Sequence, residues 1–128
     1  MGNDRLAIVM ACHNNLDVLL TSIPSVYSEA YDLVVFDDGS TDTTELWLKE
    51  KFPKIHYLSG DGTNWWTGSI AKAVDYCKGL DVDYVVSLNA DVLITPQIVS
   101  DLLKQSRLQG DAIIASIVVD VRNPKTIL

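Results

Sequence analysis

Cysteine occurs only at positions 12 and 77. Two thiols are too few to staple a small secreted fold, and no CxxC or repeated His/Cys spacing marks a structural zinc site. Both sit in apolar stretches and read as reduced core thiols. No apolar run reaches the ~18–20 residues of a membrane span. The opening Met1-Gly2-Asn3-Asp4-Arg5 has neither a basic region nor a small-residue cleavage site, which argues against a signal peptide. Leu6 stands where N-myristoylation requires Ser or Thr. Basic side chains are the minority, 10 against 17 acids, and a net charge of −7 lacks the electrostatic footprint of a nucleic-acid binder. A phosphate-bearing ligand would need a metal or helix N-termini to offset that repulsion. Repeats, low-complexity tracts and linkers are missing, so residues 1–128 read as one globular domain, long enough to bury roughly 65–70% of its unfolded surface.

Five apolar, β-branched runs alternate with helical patterns. Leu6–Met10, Leu33–Phe36, Ile55–Leu58, Tyr84–Leu88 and Ala112–Val119 read as buried strands. The first helix carries Leu16, Leu19, Leu20, Ile23 and Val26, with Pro24 expected to kink or break it. Asp42 and Glu45 form a capping-box start for a short helix carrying Leu46 and Trp47. Ser59–Asn64 is the most loop-like segment. Ile70, Ala73, Val74 and Cys77 fall at helical spacing before Gly79. Thr95 as cap, Pro96 at the first position and Gly110 at the end bracket another helix. This alternation predicts an α/β fold, with a mostly parallel sheet between two helical layers.

Ligands of such sheets bind beyond the carboxyl ends of the strands, at a topological switch point. The polar residues expected there are His13-Asn14-Asn15, Asp37-Asp38-Gly39-Ser40-Thr41-Asp42 and Asn89-Ala90-Asp91. The run from Gly62 to Ser69 leads into the third helix nearby. Carboxylates at two strand ends with glycines between suit a divalent cation carrying a diphosphate.

The segment Val35-Phe36-Asp37-Asp38-Gly39-Ser40-Thr41-Asp42 resembles the DDGSTD signature of the family 2 inverting glycosyltransferases. Ile8–Asn14 matches that family's opening nucleotide-binding strand, and Leu88-Asn89-Ala90-Asp91-Val92 falls where its metal-binding DxD motif belongs. Asn64-Trp65-Trp66-Thr67-Gly68 resembles a variant seen in rhamnosyltransferase-like members. The resemblance covers essentially the whole chain. It implies a GT-A, Rossmann-like α/β/α sandwich in truncated form, the half that binds a nucleotide-diphospho-sugar donor. A UDP- or dTDP-linked donor is implied, with transfer to a saccharide or lipid-linked acceptor in cell-surface polysaccharide or glycolipid synthesis. It further implies cytoplasmic work, in part peripheral at the inner face of the membrane.

Carried over by position, Ala11 and His13 would flank the nucleobase, and Asp38 would accept a hydrogen bond from the base's ring N–H. Asp37 would hold the turn or reach the ribose. Gly68 belongs to the nucleotide-binding set. Asn89 would contact the ribose or the metal, and Asp91 would bind Mn²⁺ or Mg²⁺. Asn89 replaces the usual first Asp of the motif, which removes one negative charge from the metal site. The family's acceptor site and general base are expected outside this chain, and an exposed fifth-strand edge is expected to promote self-association.

Structural readings stand beside these. Asp37–Ser40 would also serve as a plain strand–turn–helix connection, His13 as an ordinary rim histidine, and one of Trp65 and Trp66 as packing. Trp47 is expected against the sheet, Lys49-Glu50-Lys51 as a solvated helix face, and Asp81 and Asp83 as turn residues. The functional alternative is a nucleotide(-sugar)-binding module, or inactive fragment of a transferase, that transfers nothing. A phospho-receiver domain fits poorly, because its acidic pair belongs after the first strand and its lysine after the last.

Overall fold

The computed structural model describes residues 4–110, 113, 119–120 and 123–127, which form two compact units, Met1–Ile94 and Thr95–Leu128. In the first, β1 (Leu6–Cys12), α1 (Leu16–Val26), β2 (Asp32–Asp37), α2 (Thr44–Lys51), β3 (His56–Ser59), α3 (Trp65–Cys77) and β4 (Tyr84–Ser87) follow in strict alternation. The four strands form one sheet in the order β3-β2-β1-β4, parallel at every pairing. Register runs Ala7 to Asp32 through Cys12 to Asp37 on one side of β1, and Leu6 to Tyr84 through Val9 to Ser87 on the other. The strand order reverses between β1 and β4, so the switch point lies at their carboxyl ends.

The continuous apolar character of β1 and β2 reflects cover on both faces. On one, Ala7, Val9, Val34 and Phe36 pack with Ala73 and Cys77 of α3. The alternate residues Ile8, Met10 and Val35 are equally inaccessible. Right-handed crossovers place α1 and α2 over that second face, where Leu19, Ile23, Val26 and Leu48 are buried. The expected α/β/α layering with a parallel sheet is what forms. Cys12 and Cys77 are buried free thiols, and burial pushes the Cys12 thiol far above its ordinary range.

Several local expectations change. α1 runs unbroken through Pro24 to Val26, because Pro24 lies in the last turn, where few hydrogen bonds remain to lose. α2 starts at Thr44 without a capping box: Asp42 Oδ1 accepts from the Thr44 N–H at 3.0 Å, while Glu45 pairs with Lys49. Leu48, not Leu46, is its core residue, and Trp47 meets the Phe52 ring edge-on at 5.3 Å. In α3 the inward stripe is Ile70, Ala73 and Cys77, while Val74 is exposed. Arg5 holds Asp83 through its backbone N–H and Asp81 through its guanidinium, so both acids are structural.

In the second unit, α4 (Pro96–Gln109) starts as the sequence predicts, with Thr95 Oγ1 accepting from the Ile98 N–H, and ends at Gly110 with φ 69°. β5 (Val119–Asp120) pairs antiparallel with β6 (Asn123–Ile127), a strand the apolar runs did not predict. The expected strand 112–119 lies almost entirely outside the described residues, and with it the edge expected to self-associate. Among the described residues no helix is long and apolar enough to cross a membrane.

Leu48 is 1% exposed and Leu46 69%, two positions apart on one helix. Leu48→Ala is expected to cost about 2–5 kcal/mol in urea unfolding, and Leu46→Ala less than about 0.5 kcal/mol. Equal costs would show that α2 is not seated on the sheet through Leu48.

Candidate functional site

The segments that leave β1, β2 and β3 at their carboxyl ends are tied together around one carboxylate. Asp38 is 4% exposed. Its Oδ1 accepts from the Gly62 N–H at 3.0 Å and from Asn64 Nδ2 at 2.8 Å. Its Oδ2 accepts from the N–H groups of Asn64 at 2.9 Å and Trp65 at 2.8 Å. Those four bonds use the roughly four acceptor positions of a carboxylate. Burial pushes the Asp38 carboxyl up, but the bonds from the Asn64 side chain and from the Trp65, Gly62 and Asn64 backbones outweigh it. The group therefore sits below the usual carboxylate range.

Two glycines make room for this arrangement. A Cβ on Gly60 would stand 2.7 Å from Asn64 Nδ2 and 2.8 Å from the Phe36 ring, and would collide with Asp38 Oδ1 itself. A Cβ on Gly39 would meet the Gly62 nitrogen at 2.8 Å, and Gly39 also has φ 72°. Both loops thus approach closer than any side chain permits.

Around this knot Asp37, Asn14 and His13 hold the turn after β2. Asp37 is 2% exposed; its carboxylate accepts from the Ser40 N–H at 3.0 Å and the Tyr57 hydroxyl at 2.8 Å. Burial, then the neighbouring Asp37 carboxylate, push the Tyr57 hydroxyl far above its ordinary range. Asn14, at φ 47°, accepts with Oδ1 from the Thr41 N–H at 2.7 Å, and its backbone N–H donates to the Ser40 hydroxyl oxygen at 2.8 Å. His13 donates from Nδ1 to the Asp38 carbonyl at 2.7 Å, which fixes its tautomer because a carbonyl only accepts.

At the β1–β4 switch point lies an open cleft of about 420 Å³, lined by Ala11, Asn15, Val18, Trp66, Asn89, Ala90 and Asp91. Of the residues singled out from sequence, Ala11, Asn89 and Asp91 line it. His13, Asp37, Asp38 and Gly68 do not. Gly68 lies inside α3, where its N–H donates to the Asn64 carbonyl at 3.0 Å. Asn15, expected at the strand ends, also lines it; Val18 and Trp66 were missed as lining residues, and so was the part of Gly60 and Asn64 in the Asp38 knot. The loop-like composition of 59–64 was the available signal for the latter. Trp65 and Trp66 are 80% and 53% exposed, so neither is core packing.

Among the described residues no group of three or more His, Cys, Asp or Glu side chains could hold a metal ion alone. Among the described residues Asp91 is the one carboxylate lining the cleft, with Asn89 beside it. That pair fits an Mg²⁺- or Mn²⁺-type ion that takes its remaining ligands from phosphate oxygens and water.

The family model described as "Glycosyl transferase family 2" matches residues 7–127. No curated protein matches the chain in sequence. Among solved structures, that of S. aureus TarS 1–349 in complex with UDP-GlcNAc superposes with a TM-score of 0.66 at 14% identity, over 88% of this chain and 38% of that one. TarS 1–349 without that ligand gives 0.64 at 15% identity, over 88% and 39%, and its UDP complex gives 0.62 at 15% identity, over the same shares. The chain therefore spans about two fifths of the length of these structures and shares their fold over that part.

Asp38→Asn would turn an NH₂ group toward two of the four N–H donors. Amide hydrogen exchange at Gly62, Asn64 and Trp65 is expected to speed up relative to the β1 amides, and Gly60→Ala is expected to do the same. Because the Asp38 carboxyl is depressed in the folded state, its contribution to stability is complete above the ordinary Asp value of about 3.9 and is lost as pH falls through the lower folded value. The stability difference between wild type and Asp38→Asn should therefore be flat near neutrality and shrink only in acid. A difference that shrinks already between pH 7 and 5 would overturn this account of the carboxylate.

Proposed function

The chain belongs to glycosyl transferase family 2, and on that premise we propose that it holds a nucleotide-diphospho-sugar donor in the cleft at the β1–β4 switch point. The observation that carries this reading is the cleft's division of labour. Ala11, Val18, Ala90 and the Trp66 ring supply apolar surface, while Asn89 and Asp91 bring one amide and one carboxylate to the end of β4. A flat ring joined to a diphosphate matches that pattern. UDP- or dTDP-linked sugars, rhamnosyl donors included, are the donor class, and the acceptor is a saccharide or lipid-linked hydroxyl at a cytoplasmic membrane face.

In this reading Asp91, with Asn89, would hold a divalent cation beside the diphosphate. When bound, the cation stabilises the negative charge that grows on the departing nucleoside diphosphate. Asn89 lowers the charge of the site by one relative to a pair of aspartates, so the cation depends more on the diphosphate for its ligands. Asp38 has no acceptor position left for a ring N–H, and its role is to fix residues 62–65. Asp37, His13 and Asn14 hold the 37–42 turn against β1. Transfer itself is inverting: a base takes the proton of the acceptor hydroxyl as its oxygen attacks the anomeric carbon and the nucleoside diphosphate leaves from the opposite face.

One observation favours the second reading, donor binding without transfer. Among the described residues Asp91 is the sole carboxylate lining the cleft, and its assignment to the cation leaves none of them there as a general base. Turnover of a donor sugar by this chain alone would remove that reading.

The test is calorimetric titration with UDP, dTDP and GDP, each with and without Mn²⁺. One uridine or thymidine diphosphate is expected to bind saturably and more tightly with Mn²⁺. Asp91→Asn is expected to abolish the metal-dependent gain, an effect of at least roughly tenfold, the size that loss of even an outer-shell partner produces. Absence of saturable binding for all three nucleotides would overturn the proposal.

A further inference from the structure

We infer that Trp66 is the wall on which the donor's nucleobase stacks, an assignment that rests on the nucleotide reading above. The position follows from helical spacing. Cys77, Ala73, Ile70 and Trp66 lie on one stripe of α3, three or four residues apart. The first three pack on or against the β1–β2 face of the sheet. α3 runs antiparallel to the strands, so its first turn stands at their carboxyl ends, and Trp66 continues the stripe past the sheet into the cleft. It is 53% exposed there, a large apolar surface that the other described residues leave uncovered.

The opposite wall comes from the other helical layer. Asn15 and Val18 belong to the start of α1, which covers the second face of the sheet, and Ala11 at the end of β1 lies between the two layers. An indole from one layer and a valine from the other thus flank a floor of one alanine. Such a slot accepts a flat ring whose faces carry no polar atoms. A pyranose ring presents hydroxyls around its rim, and each would need a partner when buried. Val18, Ala11 and the Trp66 face offer none. Asn89 and Asp91 stand at the end of β4 and suit the diphosphate, while Asn15, beside Val18, keeps a buried Oδ1 without a hydrogen-bond partner among the described residues and suits an N–H on the edge of a base.

Trp66 is also held in place at a cost. Trp65 has φ 54°, a left-handed backbone that a bulky residue rarely adopts. It persists there because the Trp65 N–H donates to Asp38 Oδ2 and the preceding Asn64 is bound three times to Asp38 and Asp61 carboxylate oxygens. The direction in which α3 begins, and so the place of the Trp66 ring, is set by that hold.

Base–aromatic stacking is sequence-tolerant and sizeable. Trp66→Leu is therefore expected to weaken binding of uridine, UDP and dTDP alike, by roughly ten- to a hundredfold, with inorganic diphosphate unaffected and Trp66→Phe restoring most of the loss. The urea midpoint of Trp66→Leu reports whether folding is intact. Ultraviolet difference spectra of wild type with uridine should show perturbation of both indole and base, a signature absent from Trp66→Leu. If wild type binds UDP and Trp66→Leu binds it equally well, the stacking assignment falls while the nucleotide reading stands. If the loss is confined to nucleotide-sugars and spares UDP, the ring on Trp66 is the sugar's and the assignment also falls. If wild type binds none of UDP, dTDP and GDP, the nucleotide reading itself is overturned and this inference with it.

Discussion

Four hydrogen-bond donors converge on the Asp38 carboxylate, and each comes from a different part of one short segment: the Gly62 backbone, the Asn64 backbone and side chain, and the Trp65 backbone. A buried carboxylate with unfilled acceptor positions would carry a large desolvation penalty, so this one requires the loop after β3 to close over it. The closure in turn requires glycine at 60, where any Cβ would enter the carboxylate's space, and at 39, where the two loops touch backbone to backbone. It also sets the start of α3 and tolerates the left-handed backbone of Trp65. One side chain at the end of β2 thereby fixes the entry geometry of the helix on the opposite side of the cleft.

The same arrangement shapes the electrostatics available to a ligand. Seven net negative charges are a poor background for a diphosphate. Of the acids expected around the strand ends, Asp37 and Asp38 are turned inward, each hydrogen-bonded to the protein's own N–H or O–H groups, while Asp42 caps α2. Their charge is met internally before a ligand arrives. Among the described residues Asp91 alone remains on the cleft, which suits a single cation shared with a phosphate more than one held by those side chains alone.

The parts of this structure that were legible in the sequence are those that depend on local pattern. β-branched runs such as Leu33–Phe36 are buried on both faces and could only be central parallel strands, and Thr95-Pro96 with Gly110 marked α4 through capping chemistry that acts within a few residues. The less legible parts depend on contacts between distant segments. Asp38 and Asn64 are 26 residues apart, and nothing in either residue type reveals that all four acceptor positions are spent on one loop. The tryptophan pair was misjudged for a related reason: an apolar residue on a helix's inward stripe is ordinarily buried, but the strands stop short of the first turn of α3, leaving the stripe's last member over open space. Leu46 and Leu48 show the local version of the problem, since a helix of only two turns gives too few apolar positions to fix which face is inward.

The two ends of the cleft therefore rest on different supports. Asn89 and Asp91 follow β4, whose place is set by its ladder with β1 from Leu6–Tyr84 to Val9–Ser87, and by the Val9 carbonyl accepting from the Leu88 N–H at 3.0 Å. Trp66 follows the Asp38 knot, which no residue of β4 enters. A change in the knot should disturb the apolar end of the cleft while the polar end stays on its strand, and a change at Asn89 or Asp91 should do the reverse. The energetic coupling between substitutions at Asp38 and Asp91 should accordingly be small, because the two share no partner.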